Sequence, residues 1–322
     1  MGAGTAAPCG YTNCGRGFTA EGRNLMEKRP FGKTGAELPI LSLGCQRLVD
    51  TEGCSQDQAV AILEQALKRG VLYFDTAPAY SEGESERRVG LVAVRRRTDM
   101  WIATKVNETT RDGARRQLEA SLARLQTDHV EEVRLHNVST FDRLDAMTGS
   151  DGALQALIEA RSEGLIRFIS ISGHTNPQVL LEAIRRFPFD TALCAVSGLD
   201  HFIYSFAEEF LPVALHKCMG VVGMKVLGYK ALAADWQRAL RYSMGLPLTT
   251  VITGCSTIEQ LNGNIDLAEN FVPMTSVERL AFFRDILPMV TPQNMPWKSK
   301  DWARKDWVER KEPFGLTHIG CQ

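Results

Sequence analysis

Four side chains in this sequence could together move a proton to or from an oxygen: Tyr80, Lys105, Asp75 and His136. A phenol with an ordinary pKa near 10 is a poor donor at neutral pH, and a neighbouring ammonium would lower that value toward the working range. Lys105 can supply the ammonium, Asp75 can keep it charged and oriented, and His136 can hydrogen-bond an oxygen that is gaining negative charge. A set of this kind protonates the alkoxide formed when hydride attacks a carbonyl, and it serves the reverse oxidation equally. Each residue alone has an ordinary structural explanation: a strand-end cap, a loop aromatic, a snorkelling lysine, a satisfied core histidine. Their spacing makes them a set, because Asp75, Lys105 and His136 follow one another at about 30 residues, the length of one βα unit.

That spacing demands elements that bring successive strand ends to one rim. Short apolar β-rich runs alternate with amphipathic stretches, and strands are expected at 38–43, 71–75, 100–105, 132–136, 167–171, 189–196, 220–226 and 249–253. Gln58, Ala59, Ile62, Leu63, Ala66 and Leu67 show helical spacing, as do Leu118, Leu122 and Leu125; further helices are expected at 152–162, 177–186, 207–217, 235–242 and 257–270. Eight βα units fit a closed (β/α)8 TIM barrel of the α/β class, in which the C-terminal strand ends carry the chemistry. An open doubly wound sheet would want an early G-x-G-x-x-G turn, which this sequence lacks. The expected organisation is a flexible arm over 1–25, one barrel domain over 26–290 and a tail over 291–322 packing on the barrel or its mouth. Trp297, Trp302 and Trp307 in that tail are five apart and would not share a helix face.

With 37 basic and 38 acidic residues the formal charge is −1, which offers no footprint for nucleic acid or an anionic membrane. No apolar run is long enough to span a bilayer and the first residues lack a secretory layout, so a cytoplasmic protein acting on a small molecule is expected. Its oligomeric state is open. The eight cysteines form no C-x-x-C pair and no His lies at zinc spacing, so no metal is expected.

At this point the sequence resembles the aldo-keto reductase superfamily over nearly all of residues 29–270. The resemblance is carried by Phe31-Gly32-Lys33-Thr34-Gly35 leading to Leu41-Ser42-Leu43-Gly44, by Phe74-Asp75-Thr76-Ala77-Pro78-Ala79-Tyr80, by Ala103-Thr104-Lys105 and Leu135-His136, by Ile171-Ser172-Gly173-His174, and by Gly254-Cys255-Ser256-Thr257-Ile258-Glu259-Gln260-Leu261 with Asn264. It implies that Tyr80 is the general acid/base, Lys105 and Asp75 its tuning pair, and His136 the residue that orients the substrate carbonyl. It also implies a nicotinamide cofactor extended across the barrel mouth. Its contacts would be Gly44, Cys45 and Gln46, Asp75, Ser172, the stretch with Leu227, Gly228 and Lys230, and Gly254, Ser256, Gln260 and Asn264, where helix N-terminal amides suit phosphate.

Two departures stand out. Gly173 and His174 follow Ser172 where many relatives place an Asn that grips the nicotinamide amide, and Ser197 or Asn137 are the candidate replacements. No base lies near Gly254 to Gln260 to clamp a 2′-phosphate, yet Lys230 could contribute charge, and NADP(H) is favoured over NAD(H). The substrate is expected to be a small carbonyl or alcohol, with Tyr80, His136, Arg47, His201, Phe202, Tyr204, Trp297 and Trp302 bordering it; Arg47 and His201 hint at a polar, sugar-like molecule. The expected activity is reversible reduction of an aldehyde, ketone or sugar carbonyl. Redox-neutral sugar conversion with retained cofactor, or a cofactor-binding sensor, are the alternatives.

Overall fold

Apolar runs too short to bury both faces alone close on one another into a ring. The computed structural model describes residues 25–298. It opens with a hairpin of β1 (Lys28–Pro30) and β2 (Glu37–Pro39). The strands that follow are β3 (Leu41–Gly44), β4 (Tyr73–Asp75), β5 (Trp101–Val106), β6 (Val130–Leu135), β7 (Ile166–Gly173), β8 (Thr191–Ala195), β9 (Gly220–Met224) and β10 (Thr250–Thr253). These eight form a closed barrel in sequence order with β10 returning to β3, and every neighbouring pair is parallel. The expected (β/α)8 barrel is therefore the fold. The first expected strand proves to be two elements, because the hairpin ends at Pro39 and β3 begins only at Leu41.

Helices follow the barrel strands in turn: α1 (Gln56–Lys68), α2 (Glu84–Arg96), α3 (Arg111–Leu125), α4 (Phe141–Thr148), α5 (Ala153–Ser162), α6 (Pro177–Arg186), α7 (Leu211–His216), α8 (Trp236–Met244), α9 (Ile258–Glu269) and α10 (Ser276–Ile286). Local chemistry starts them. Ser55 and Gln58 form a reciprocal capping box before α1, which then buries Ala59, Ile62, Leu63, Ala66 and Leu67; full burial of a residue such as Leu63 contributes about 1.5–3 kcal/mol. Asn176 caps α6 with Pro177 in its first turn. The expected 207–217 helix is shorter, because a π-helical turn over Phe206–Phe210 precedes α7. Helices α2, α4 and α10 are not among those expected from apolar spacing.

The hairpin plugs the barrel at the end opposite the catalytic strand ends. Phe31 is fully buried among Leu38, Tyr73, Trp101, Leu193 and Val222, and its ring meets Tyr73 and Trp101 edge-on at 6.0 and 5.5 Å. Gly220 is required beneath it: a Cβ there would lie 2.3 Å from the Phe31 ring. The described part of the tail lies against the rim. Thr175 Oγ1 donates to the Trp297 carbonyl (2.9 Å), and Trp297 Nε1 and Lys298 Nζ both reach Asp200 (2.9 and 2.7 Å). All but Leu25 of the expected arm over 1–25, and Trp302 and Trp307, lie outside the described residues.

Candidate active site

Parallel register carries Asp75, Lys105 and His136 to the same end. Gly44 pairs with Asp75, Asp75 with Ala103, and Lys105 with Arg134, so β3 to β6 finish in step around the axis. There they floor a cavity of about 410 Å³, lined by Asp75, Tyr80, Lys105, His136, Gly44, Gln46, Arg47, Ser172, Leu227, Lys230 and Gly254 together with Glu52, His174, Leu193, Met224, Lys225, Val226, Tyr229, Ile252 and Thr253. The first eleven of these were singled out from sequence, and they share one cleft.

The Lys105 ammonium donates to Asp75 Oδ2 at 2.8 Å and to the Thr76 carbonyl at 2.7 Å, and lies 4.7 Å from the centroid of the Tyr80 ring. Burial alone would lower Lys105, but Asp75 first and Tyr80 next outweigh it and hold the group above the ordinary lysine value. Burial raises Asp75, with Lys105 opposing. For Tyr80 the expected lowering is not met: burial raises the phenol more than Lys105 depresses it, and Asp75 adds to the rise. In the resting cleft Tyr80 is a protonated acid whose ionisation Lys105 eases.

His136 sits edge-on to Tyr80, ring centroids 6.2 Å apart. Burial, then Lys105 and His174, push it down to about 2, so it is a neutral imidazole at any working pH. Its Nδ1 is 2.5 Å from the side-chain oxygen Oδ1 of Asn107. Arg143 of α4 donates to the main-chain carbonyls of both Asn107 (2.8 Å) and His136 (3.1 Å), tying the two strand ends together.

Other expected contacts lie behind the cleft or away from it. Cys45 is buried with its carbonyl taken by Ser85, and Gly228 turns against Leu199. At the N-terminus of α9 the polar side chains serve the chain itself: Gln260 Oε1 accepts from Ser256 N (3.0 Å), and Asn264 donates to Thr253 Oγ1 (3.3 Å). From this stretch Thr253 and Gly254 border the cavity, whereas Ser256, Gln260 and Asn264 do not. His201 stacks on Phe283 of α10 at 4.2 Å, and Phe202 meets the same ring, which takes both out of the cleft. Tyr204 holds Lys298 through its carbonyl (3.0 Å). Trp297 stands one layer back, stacked at 5.6 Å on the Tyr229 ring that borders the cleft. Ser197 donates to Asp200 (2.6 Å) and is buried away from the cavity. Asn137, in left-handed backbone, keeps a buried side-chain oxygen with no partner.

Several site residues escape a reading of the sequence. Lys225 lies over the Tyr229 ring at 4.4 Å, and burial pushes it down to about 8 although Asp200 opposes. Leu193, Met224 and Ile252 give the cleft an apolar floor. Arg134, fully buried beneath Asp75, has a readable signal: Glu132 and Arg134 alternate within a parallel strand, where apolar residues are the rule.

These residues fit a dinucleotide: apolar floor for a flat ring beside Tyr80 and His136, cations at Lys225 and Lys230 for phosphates, and an orphaned acceptor on Asn137 beside Ser172. Comparison with known proteins agrees with the fold. The profile of the aldo/keto reductase family matches residues 41–235. An uncharacterized oxidoreductase of Bacillus subtilis is 28% identical over 294 residues, covering 76% of this chain and 91% of the relative. The L-galactose dehydrogenase of Arabidopsis thaliana is 25% identical over 319 residues, 86% of this chain and 97% of that enzyme. The holo form of an aldo-keto reductase from Bacillus halodurans superposes with a TM-score of 0.68 at 25% identity, over 81% of this chain and 96% of that one.

Proposed function

The chain belongs to the aldo/keto reductase family, as an NAD(P)-dependent oxidoreductase, and on that premise we propose that it reversibly reduces a small aldehyde, ketone or sugar carbonyl with Tyr80 as the acid. One observation carries the reading: the Lys105 ammonium is fixed on Asp75 and Thr76 while facing the Tyr80 ring at 4.7 Å, on the floor of the cleft. A nicotinamide held over Leu193, Met224 and Ile252 would supply or accept the hydride. Tyr80 gives its phenolic proton to the carbonyl oxygen, and Lys105 stabilises the phenolate left behind. In oxidation the same phenolate takes the alcohol proton.

His136 orients the carbonyl. To donate from Nε2 a neutral imidazole must accept at Nδ1, which requires the Asn107 amide, whose Oδ1 faces Nδ1 in the structure, to rotate and present its NH2 instead. Leu193, Met224 and Ile252 beside Tyr80, Lys105, Asp75 and His136 keep bulk water from competing for the developing charge. Lys225 and Lys230 support NADP(H) as the preferred cofactor, since each adds positive charge for phosphate along the β9 rim.

The test is cofactor turnover, followed by nicotinamide absorbance with NADPH and NADH against aldehydes, ketones and sugars, for the wild type and Tyr80→Phe. A fall on the order of 10²–10⁴-fold in kcat is expected for the variant. Equal turnover by both proteins sinks the role of Tyr80, and a stronger response to NADH sinks the cofactor preference.

A further inference from the structure

Beneath the cleft, inside the barrel, lies a second layer of charge that the proton transfer described above does not use. Glu132 and Arg134, two apart on β6, are both fully buried. Arg134 donates through one terminal nitrogen to Asp75 Oδ1, and through the other to the Tyr73 hydroxyl and to Glu132 Oε1, the last at 2.8 Å. Tyr73 in turn donates to Glu132 Oε2 at 3.0 Å, and Thr191 to Glu132 Oε1 at 2.6 Å. The other oxygen of Asp75 carries Lys105. One carboxylate is therefore shared by two cations, one oxygen each.

Stability does not account for this arrangement. A fully buried guanidinium costs several kcal/mol in desolvation, and the Arg134 Nε has no partner at all. What the arrangement changes is the field at Tyr80. A carboxylate paired with Lys105 alone would cancel most of the ammonium's charge; one drawn downward by Arg134 cancels less of it, and it is also prevented from pivoting both oxygens toward the lysine. We propose that Arg134 is a positioning residue for proton transfer: by holding Asp75 Oδ1 it leaves the Lys105 ammonium under-neutralised and aimed at Tyr80. Glu132 acts in the opposite sense, returning negative charge to Arg134 from the far side. The charged and titratable groups facing Arg134 are Tyr73 and Asp75 on β4, Lys105 on β5, Glu132 on its own strand and His136 at that strand's end. Burial pushes Glu132 up to about 7 and Arg134 down to about 9, so Glu132 exchanges its proton within reach of neutral pH while Arg134 stays cationic there.

The proposal rests on Tyr80 as the acid, and its test separates the two. Ionisation of Tyr80 is read directly, as the phenolate absorbance of each protein minus that of its Tyr80→Phe counterpart, and the pH profile of kcat is recorded beside it. Arg134→Met is expected to move the Tyr80 titration to higher pH and to lower kcat at neutral pH by about tenfold or more, the equivalent of one pH unit. Arg134→Lys restores part of both. Glu132→Gln keeps the shape and, with its oxygen in the Oε1 place, the hydrogen bond from Thr191, gives up the one that Tyr73 donates to Oε2, removes the counter-charge, and is expected to shift the titration the other way; it carries the test alone if Arg134→Met fails to fold. A Tyr80 titration and pH profile unmoved in Arg134→Met, or moved in the same direction by Glu132→Gln, overturns the proposal. Full turnover by Tyr80→Phe would instead overturn the role of Tyr80 itself.

Discussion

Replacing Lys105 with Met removes an ammonium and keeps its stem, so it isolates the charge. In the wild type Nζ lies 4.7 Å from the Tyr80 ring centroid. A unit charge at that distance from a phenolate forming on Tyr80 is worth roughly 3.5 kcal/mol at an effective dielectric of about 20. Asp75 stays behind, held by Arg134 but no longer by Lys105, and its charge repels the phenolate instead of being shared. A loss of this size slows the step that ionises Tyr80 on the order of 10²–10³-fold. The assay is kcat from nicotinamide absorbance at saturating cofactor and carbonyl. Cofactor affinity by fluorescence and a thermal melt alongside show that the cleft is intact. Turnover by a folded Lys105→Met protein equal to that of the wild type, while Tyr80→Phe is inactive, would refute the electrostatic reasoning and leave Tyr80 acting without its cation.

Asn107→Asp can only accept from Nδ1, which leaves Nε2 of His136 without a proton; kcat should fall on the order of 10²-fold at alkaline pH and recover on acidification as the imidazole gains a second proton, and a flat pH profile would count against the tautomer assignment. His136 titrates at about 2 when folded against an ordinary 6.5. Between those values the unfolded chain binds a proton that the fold does not, so this residue takes stability away as pH falls below about 6.5, by up to about 1.4 kcal/mol per pH unit. Urea unfolding of His136→Gln should therefore show a shallower loss of stability on acidification, and an unchanged slope would contradict the buried neutral histidine. Gly220→Ala places a methyl 2.3 Å from the Phe31 ring and should cost about 1–3 kcal/mol in a denaturant melt, while the activity of the folded fraction is retained; lost activity at full stability would break the separation between plug and cleft.

The barrel strands are legible because parallel strands covered on both faces read as continuous apolar runs. The missed helices show where that signal fails. In α10 the apolar residues Val277 and Leu280 are exposed, so no stripe marks its buried face, and α2 buries Glu86 and Arg88, which apolar spacing passes over. Without α10 the place of His201 is lost as well, since its stacking partner Phe283 belongs to that helix. Asp75, Tyr80, Lys105 and His136 can be recognised because strand-end position follows from strand spacing alone. The direction of the Tyr80 shift cannot, because burial depends on everything that packs around the phenol and the lysine is only one of its neighbours. Asn107 and Arg143 are equally hidden, as residues whose meaning comes from the side chain or carbonyl they meet across the rim.

The hairpin plug has a kinetic corollary. With Phe31 sealing one end, the barrel is a blind well, and every reactant and product passes through the same opening. Whatever lies deepest must arrive first and depart last, because a molecule seated above it blocks the exit. On the proposed function, a ring resting on the floor of Leu193, Met224 and Ile252 would be such an occupant, and the order of binding would follow from the depth of the cleft, with Leu193 packed on the Phe31 plug beneath it.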